Sequence, residues 1–172
     1  MEIRSLFGVP AHPLLVHVPI VLLPMVGIGA IACALSGRAR RRFGVVVLGL
    51  AVIAFAGTLL ATSSGEALEG SVDRTRLLHE HTEHAGAMRP LAFVLLLAVG
   101  ALVAGQRLER RGRKVHPAAG IAAAVVAIAM AIGANAWLVV VGHEGAKATW
   151  DTVDVGSPRG EAVPAAGHVG DR

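Results

Sequence analysis

Four long apolar stretches alternate with short polar links along the chain. They cover residues 14–35, 43–61, 85–105 and 118–141, the third of them with a less apolar beginning at residues 85–89. A helix that crosses the hydrocarbon of a bilayer needs about 20 apolar residues, at about 1.5 Å each. The pattern therefore predicts an all-α fold, a four-helix transmembrane bundle that is embedded in the lipid bilayer.

The positions of the basic residues predict the orientation of this bundle. Nine of the sixteen lysines and arginines lie in two short links, residues 36–42 and residues 107–114. In a four-span bundle both links lie on the same side, and short basic loops remain cytoplasmic. We therefore expect an inner or plasma membrane protein that is N-out and C-out, with residues 62–89 outside.

The same pattern divides the chain into three parts. Residues 1–12 are an outer segment, residues 13–145 form the membrane domain, and the polar residues 146–172 are expected to be a disordered outer tail. The first span lacks the basic start of a signal peptide, so we interpret it as a retained helix. Pro19 and Pro24 each remove a backbone hydrogen bond and should bend or loosen its outer half.

Composition excludes several classes of protein. Hydrophobic residues make up 54% of the chain and charged residues 16%, against about 25% charged residues in an ordinary soluble domain. A cytosolic enzyme and a disordered chain are thereby excluded. Nucleic-acid binding is not expected, because the topology already accounts for the basic residues. Cys33 is the single cysteine and lies in an apolar run, which excludes a disulfide framework.

Small residues recur four positions apart within the spans, as Gly57 with Ala61 and Ala129 with Gly133. Such pairs allow helix backbones to approach closely in lipid. We expect the spans to pack through them, and association with a second copy of the chain stays open.

The histidines are the candidate functional residues. Six of the eight fall at the outer ends of three predicted spans, and Glu66 lies at the same level on the remaining one. Ionisable groups at membrane depth are costly and usually mark a function. The topology therefore predicts a histidine-rich outer face with one shared site, formed from His12, His17, His79, His81, His84 and His143.

The spacing of the histidines decides only in part which of them can point into one site. His12 and His17 are five residues apart, about 140° around a regular helix, so both cannot point into one site unless the helix is irregular. His79 and His81 fit an amphipathic segment at the headgroups as well as they fit ligands.

The opening of the first span resembles a known family. Residues 12–20 read HPLLVHVPI, which resembles the signature HP-x-x-VH-F-P-I-A-L of domain of unknown function 2231, a family of bacterial four-span membrane proteins. Residues 142–146 with Trp150 resemble its closing segment, G-x-x-G-G-x-L-V-Y, with Ala146 in place of a glycine. The resemblance covers about residues 8–150 and implies a membrane location. Related domains joined to cytochrome c-like modules imply a redox partner such as a cytochrome.

Three functions remain open, and none of them predicts a stand-alone enzyme. The first is a haem b protein for electron transfer, with His17 and His84 as axial ligands and Arg89 on a propionate. Glu66 or Glu80 would then fix the tautomer of a ligating ring.

The second function is binding of a transition metal ion, for which imidazole and carboxylate are suitable ligands. The third is a non-catalytic membrane scaffold whose histidines join the helix ends by hydrogen bonds. The candidate metal ligands are His12, His17, His84, His143 and Glu66.

Overall fold

Six helices follow a small hairpin in the residues that the computed structural model describes, which are 5–6, 8–70 and 75–150. Strands β1 and β2 pair antiparallel, with Ser5 opposite Pro10. The elements are β1 (Ser5–Leu6), β2 (Val9–Pro10), α1 (Ala11–Leu15), α2 (His17–Leu35), α3 (Gly37–Glu69), α4 (Arg76–Gly86), α5 (Met88–Arg110) and α6 (Pro117–Trp150).

These helices form four candidate membrane spans, as the apolar pattern predicts. The spans are Ala11–Leu35, Gly37–Glu69, Arg76–Arg110 and Pro117–Trp150, and each is long and apolar enough to cross a bilayer. The all-α, four-span fold is thereby confirmed. Helix α6 continues to Trp150, five residues beyond the expected boundary of the membrane domain, and residues 151–172 of the expected tail lie outside the described residues.

Local chemistry fixes several helix ends. The Ser36 hydroxyl accepts a hydrogen bond from the Ala39 amide at 3.3 Å and caps the start of α3. After α5, Gly112 has a φ of +72°, a conformation that glycine adopts without a steric penalty. The Arg113 amide then reaches back to the Leu108 carbonyl at 3.0 Å, which closes the helix end in a Schellman motif.

Two of the spans are interrupted in the same way. The first is interrupted at Val16 and the third at Ala87, in each case three residues before a proline, Pro19 or Pro90. A proline has no N–H to donate to the residue four positions back, so the helical ladder weakens there. The expected irregularity is therefore present at Pro19, whereas α2 runs through Pro24 without interruption.

The spans are arranged as two helical hairpins packed side by side. Span α2 packs against α3 and α6, α5 packs against the same two helices, and α2 and α5 meet only slightly. The first hairpin (α1–α3) and the second hairpin (α4–α6) are therefore built alike. We call the end that holds residues 36–42 and 107–117 the basic end, and the opposite end the histidine end.

Alanines make up much of the interior, together with larger residues such as Leu23 and Leu95, and many large apolar residues face outward. This distribution suits a bilayer, where close backbone contact stabilises helix pairs and lipid solvates large side chains. Buried interior residues include Ala30, Ala51, Ala54, Ala98, Ala127 and Ala131, and strongly exposed residues include Ile28, Leu35, Val45, Ile121, Ile132 and Val139.

Only part of the predicted small-residue packing is present. Gly57 lies directly against Val18, and both Gly57 and Ala61 are buried. Ala129 and Gly133 instead lie on an exposed face of α6, and a Cβ on Gly133 would meet nothing within 4 Å. The prediction that this second pair packs between helices of the bundle is therefore wrong.

Candidate functional site

A cavity of about 530 Å³ lies at the histidine end, between α1–α2, α3, α4 and α6. Its volume is within the range of about 300–1,000 Å³ that is typical of ligand pockets. The walls combine apolar side chains such as Ile20 and Leu78 with polar ones such as Thr58. Two histidines, His12 and His81, are part of its lining, and each comes from a different hairpin.

His12 is held by α3 of its own hairpin. Its Nδ1 donates a hydrogen bond to the Ala61 carbonyl oxygen at 2.9 Å, with the Ser64 hydroxyl 3.4 Å away. The ring lies against Gly65, where a Cβ atom would be 3.0 Å from His12 Cε1. A side chain larger than that of glycine would press on the imidazole and require it to move away from α3 by a few tenths of an ångström.

His81 is held in the same manner by α6 of the second hairpin. Its Nδ1 donates to the Val141 carbonyl oxygen at 3.1 Å. The ring lies against Gly145, where a Cβ atom would be 3.0 Å from His81 Cε1. In both hairpins the accepting carbonyl belongs to the residue four positions before the glycine, so the two histidine sites repeat one construction.

These hydrogen bonds fix the tautomer of both rings. A carbonyl oxygen only accepts, so Nδ1 carries the proton in each neutral ring and Nε2 keeps its lone pair. Among the described residues, no hydrogen bond involves Nε2 of His12 or His81. Such nitrogens can coordinate a metal centre or accept a hydrogen bond.

The predicted axial pair does not share this cavity. His17 is exposed, its Nδ1 donates to the Pro13 carbonyl at 2.7 Å, and it is not part of the lining. His84 also lies outside the lining, and its Nδ1 contacts the two carboxylate oxygens of Glu144 at 2.8 and 2.7 Å. The Trp137 ring meets the His84 ring edge-on, with 5.3 Å between centroids.

Arg89 and Glu66 form an ion pair at the rim of the cavity. The Arg89 Nη2 donates to Glu66 Oε1 at 2.6 Å, and its Nε donates to the Thr62 hydroxyl at 2.7 Å. Glu66 and Thr62 line the cavity, whereas Arg89 does not. The Glu66 side chain is 60% exposed, so the pair contributes at most about 1 kcal/mol to stability.

The predicted five-residue metal site is not assembled. His143 is exposed and lies outside the cavity lining. Within residues 8–70 and 75–150, no group of three or more His, Cys, Asp or Glu side chains is placed to hold a metal ion. Of the predicted ligands, His12 and Glu66 reach the cavity, and His17, His84 and His143 do not.

Two residues of this region gained their importance only from the structure. Glu144 pairs with His84, whereas the predicted partner Glu80 bonds Arg76 at 2.7 Å. His81 was as consistent with a headgroup segment as with a ligand. The signal that distinguishes it is Gly145, which repeats the relation of Gly65 to His12.

Four apolar helices that pack through alanine and glycine and expose large apolar side chains define a helical membrane protein. The chain belongs to the family of predicted membrane proteins designated DUF2231, whose model matches residues 8–156. The match spans well over half of the chain and confirms the resemblance carried by residues 12–20. Comparison with curated proteins and with solved structures finds no match.

Proposed function

We propose that this membrane protein binds haem b at the histidine end and transfers electrons, and that His12 and His81 are the residues whose Nε2 atoms would hold the haem iron. One observation carries the proposal. The two imidazoles come from different hairpins, line one cavity, and have Nδ1 bonded to a carbonyl while Nε2 keeps its lone pair. Hydrogen bonding at Nδ1 is how proteins orient metal-ligating histidines and raise their basicity.

The number of ligands favours haem over a bare metal ion. A protein site for a zinc-like ion uses three or four side chains. Haem iron needs only one or two axial side chains. The described residues supply two histidines on the cavity and no group of three candidate ligands. A transition metal ion held by His12 and His81 would need water or other molecules to complete its coordination.

The surroundings of the rings fit the same group. Apolar walls such as Ile20 and Leu78 suit a flat apolar macrocycle and reduce the access of water. Arg89 is the cation that both rim residues, Thr62 and Glu66, hold in place. We propose that Arg89 binds a haem propionate. In that role its guanidinium would release the Glu66 carboxylate and pair with the propionate instead.

When bound, haem supplies one-electron redox chemistry. The chain holds the two rings, keeps the proton at each Nδ1, and shields the cavity. Family resemblance supports a small redox protein such as a cytochrome as the partner, and the predicted topology places the site on the extracytoplasmic side.

A second function is a non-catalytic scaffold. The observation in its favour is that His12, His81 and His84 each already join one helix to another by a hydrogen bond. Each ring is therefore useful to the bundle with no ligand at all.

Haemin titration of the detergent-purified full chain tests these functions. We expect one haem per chain with the absorption spectrum of a low-spin, bis-imidazole haem. His12→Ala and His81→Ala should each convert it to a high-spin or unbound form, because each removes one axial nitrogen. The exposed His17→Ala and His143→Ala are matched controls and should bind as the wild type does, with thermal unfolding measured for every variant.

Each alternative gives a different result. A wild-type chain that binds no haemin but contains a stoichiometric metal by elemental analysis supports the metal site, and a chain that holds neither supports the scaffold. Loss of haem in His17→Ala or His84→Ala, with full binding in His12→Ala, would return the ligand role to the pair predicted from sequence.

A further inference from the structure

We propose that Gly65 and Gly145 are positioning residues of the histidine site. Their missing side chains let the rings of His12 and His81 lie on the helix backbone, where Nδ1 reaches a carbonyl and Nε2 is left for a ligand. The identity of that ligand rests on the proposed function, but the positioning role does not.

Gly65 touches much of the His12 ring. A Cβ atom at this position would lie 3.0 Å from Cε1, 3.1 Å from Nδ1 and 3.7 Å from Nε2. The first two distances are shorter than ordinary van der Waals contact between such atoms. An imidazole ring is rigid and cannot bend away, so it must shift as a whole. That shift would lengthen its 2.9 Å hydrogen bond to the Ala61 carbonyl.

Gly145 has the same relation to His81. A Cβ atom there would lie 3.0 Å from Cε1, 3.3 Å from Nδ1 and 3.5 Å from Nε2. A displaced ring would lengthen the 3.1 Å hydrogen bond to the Val141 carbonyl. Two independent helices thus place a glycine four residues after the carbonyl that holds a histidine.

Glycines elsewhere on the same two helices provide matched controls. Gly133 lies on α6 with Gly145 but outside the cavity lining, and a Cβ atom there would meet nothing within 4 Å. Gly49 has the same open surroundings on α3, the helix of Gly65. Alanine is a better helix former than glycine, so substitution at Gly133 or Gly49 should leave the chain as stable or more stable.

The experiment compares Gly65→Ala and Gly145→Ala with Gly49→Ala and Gly133→Ala in the full chain. Haemin affinity should fall roughly 10- to 100-fold in the first two variants, the usual cost of disturbing a group that orients a metal ligand. It should be unchanged in the two controls.

Nitrogen NMR of labelled histidine, recorded without haemin, reads the tautomers separately. Gly65→Ala should change the Nδ1 signal of His12 and leave that of His81 unchanged, and Gly145→Ala should do the reverse. A structural role alone would not produce this reciprocal pattern.

The outcomes separate the two proposals. Wild-type haemin affinity and unchanged ring signals in Gly65→Ala and Gly145→Ala would overturn the positioning role. Reciprocal NMR changes in a chain that binds no haemin would support it and reject the haem ligand. If Gly65→Ala does not fold, the double variant with His12→Ala should fold, since the clash is with the ring. A double variant that also fails to fold contradicts the proposal.

Discussion

Asn135 shows how one polar side chain is accommodated deep in the bundle. Its Nδ2 donates to the Ala131 carbonyl at 2.7 Å and to the Leu23 carbonyl at 3.4 Å, and so joins α6 to α2. Gly27 makes room for it, because a Cβ there would lie 2.5 Å from the amide nitrogen. The Oδ1 atom is buried without a hydrogen-bond partner among the described residues. The amide is therefore only partly satisfied.

Replacing this residue should cost little. We expect Asn135→Ala to lower the free energy of unfolding by about 0.6 kcal/mol, the mean for polar contacts between membrane helices. Because the amide is only partly satisfied, we do not expect a loss of stability larger than this mean. Unfolding in mixed detergent micelles measures the difference, with the exposed Ile132→Ala as the control. A more stable Asn135→Ala chain would contradict the role in joining the two helices.

Hydrogen bonds, rather than fully buried side chains, hold helix α4 to the bundle. None of its residues is fully buried. Three hydrogen bonds hold it to α6, from His81 to Val141, from His84 to Glu144, and from Trp137 Nε1 to the His84 carbonyl at 3.0 Å. Because few apolar contacts support it, α4 should open more readily than the spans.

Trp137→Phe tests this attachment. The substitution keeps an aromatic ring but removes the indole N–H, at a cost of about 1 kcal/mol for one neutral hydrogen bond. Amide hydrogen exchange in α4 should become several-fold faster, while exchange in α3 should not change. Trp150→Phe, at a side chain that is 61% exposed, is the control. Unchanged protection of α4 would show that the bond does not fasten it.

The bundle as a whole carries most of its basic residues at one end and its candidate site at the other. Nine of the sixteen lysines and arginines lie in the two links of the basic end. Since short basic loops remain cytoplasmic, the histidine end should face outward, toward the side on which we propose that it meets a redox protein.

Reporter fusions test this orientation. A reporter that is active only outside the cytoplasm, fused after residue 172, should be active, and one fused within the link at residues 107–114 should be inactive. Replacing Arg38, Arg40, Arg41 and Arg42 by glutamine should produce a mixture of orientations, because most of one basic loop is lost. If the reporter fused after residue 172 is inactive, the tail is cytoplasmic and the histidine site lies on the inner side of the membrane.

The spans could be predicted from the sequence because hydropathy accumulates over about 20 residues. Their ends were less accurate, since the polar last turns of α3 and α6 stay helical beyond the apolar run. The histidine pairing could not be predicted. His81 and His84 are three residues apart on one face, and the rotation of α4 against α6 decides which of them reaches the cavity.

The two histidines and the two glycines of the site do occupy equivalent positions along the sequence. Gly65 and Gly145 stand near the ends of the second and fourth spans, and His12 and His81 stand near the beginnings of the first and third. Which histidine lies against which glycine depends on how α1 packs against α3 and how α4 packs against α6. Hydropathy cannot report this pairing, because glycine contributes almost nothing to an apolar pattern.

The repeated hairpin also sets a symmetry condition on whatever fills the cavity. A molecule that engages both imidazoles meets the same nitrogen, with the same lone pair, twice. It must therefore offer each of the two nitrogens either a coordination position on a metal or a hydrogen-bond donor. A planar macrocycle with a metal at its centre meets the condition through its faces, and a hydroquinone meets it through its two hydroxyls. A ligand with a single polar end leaves one ring without a partner.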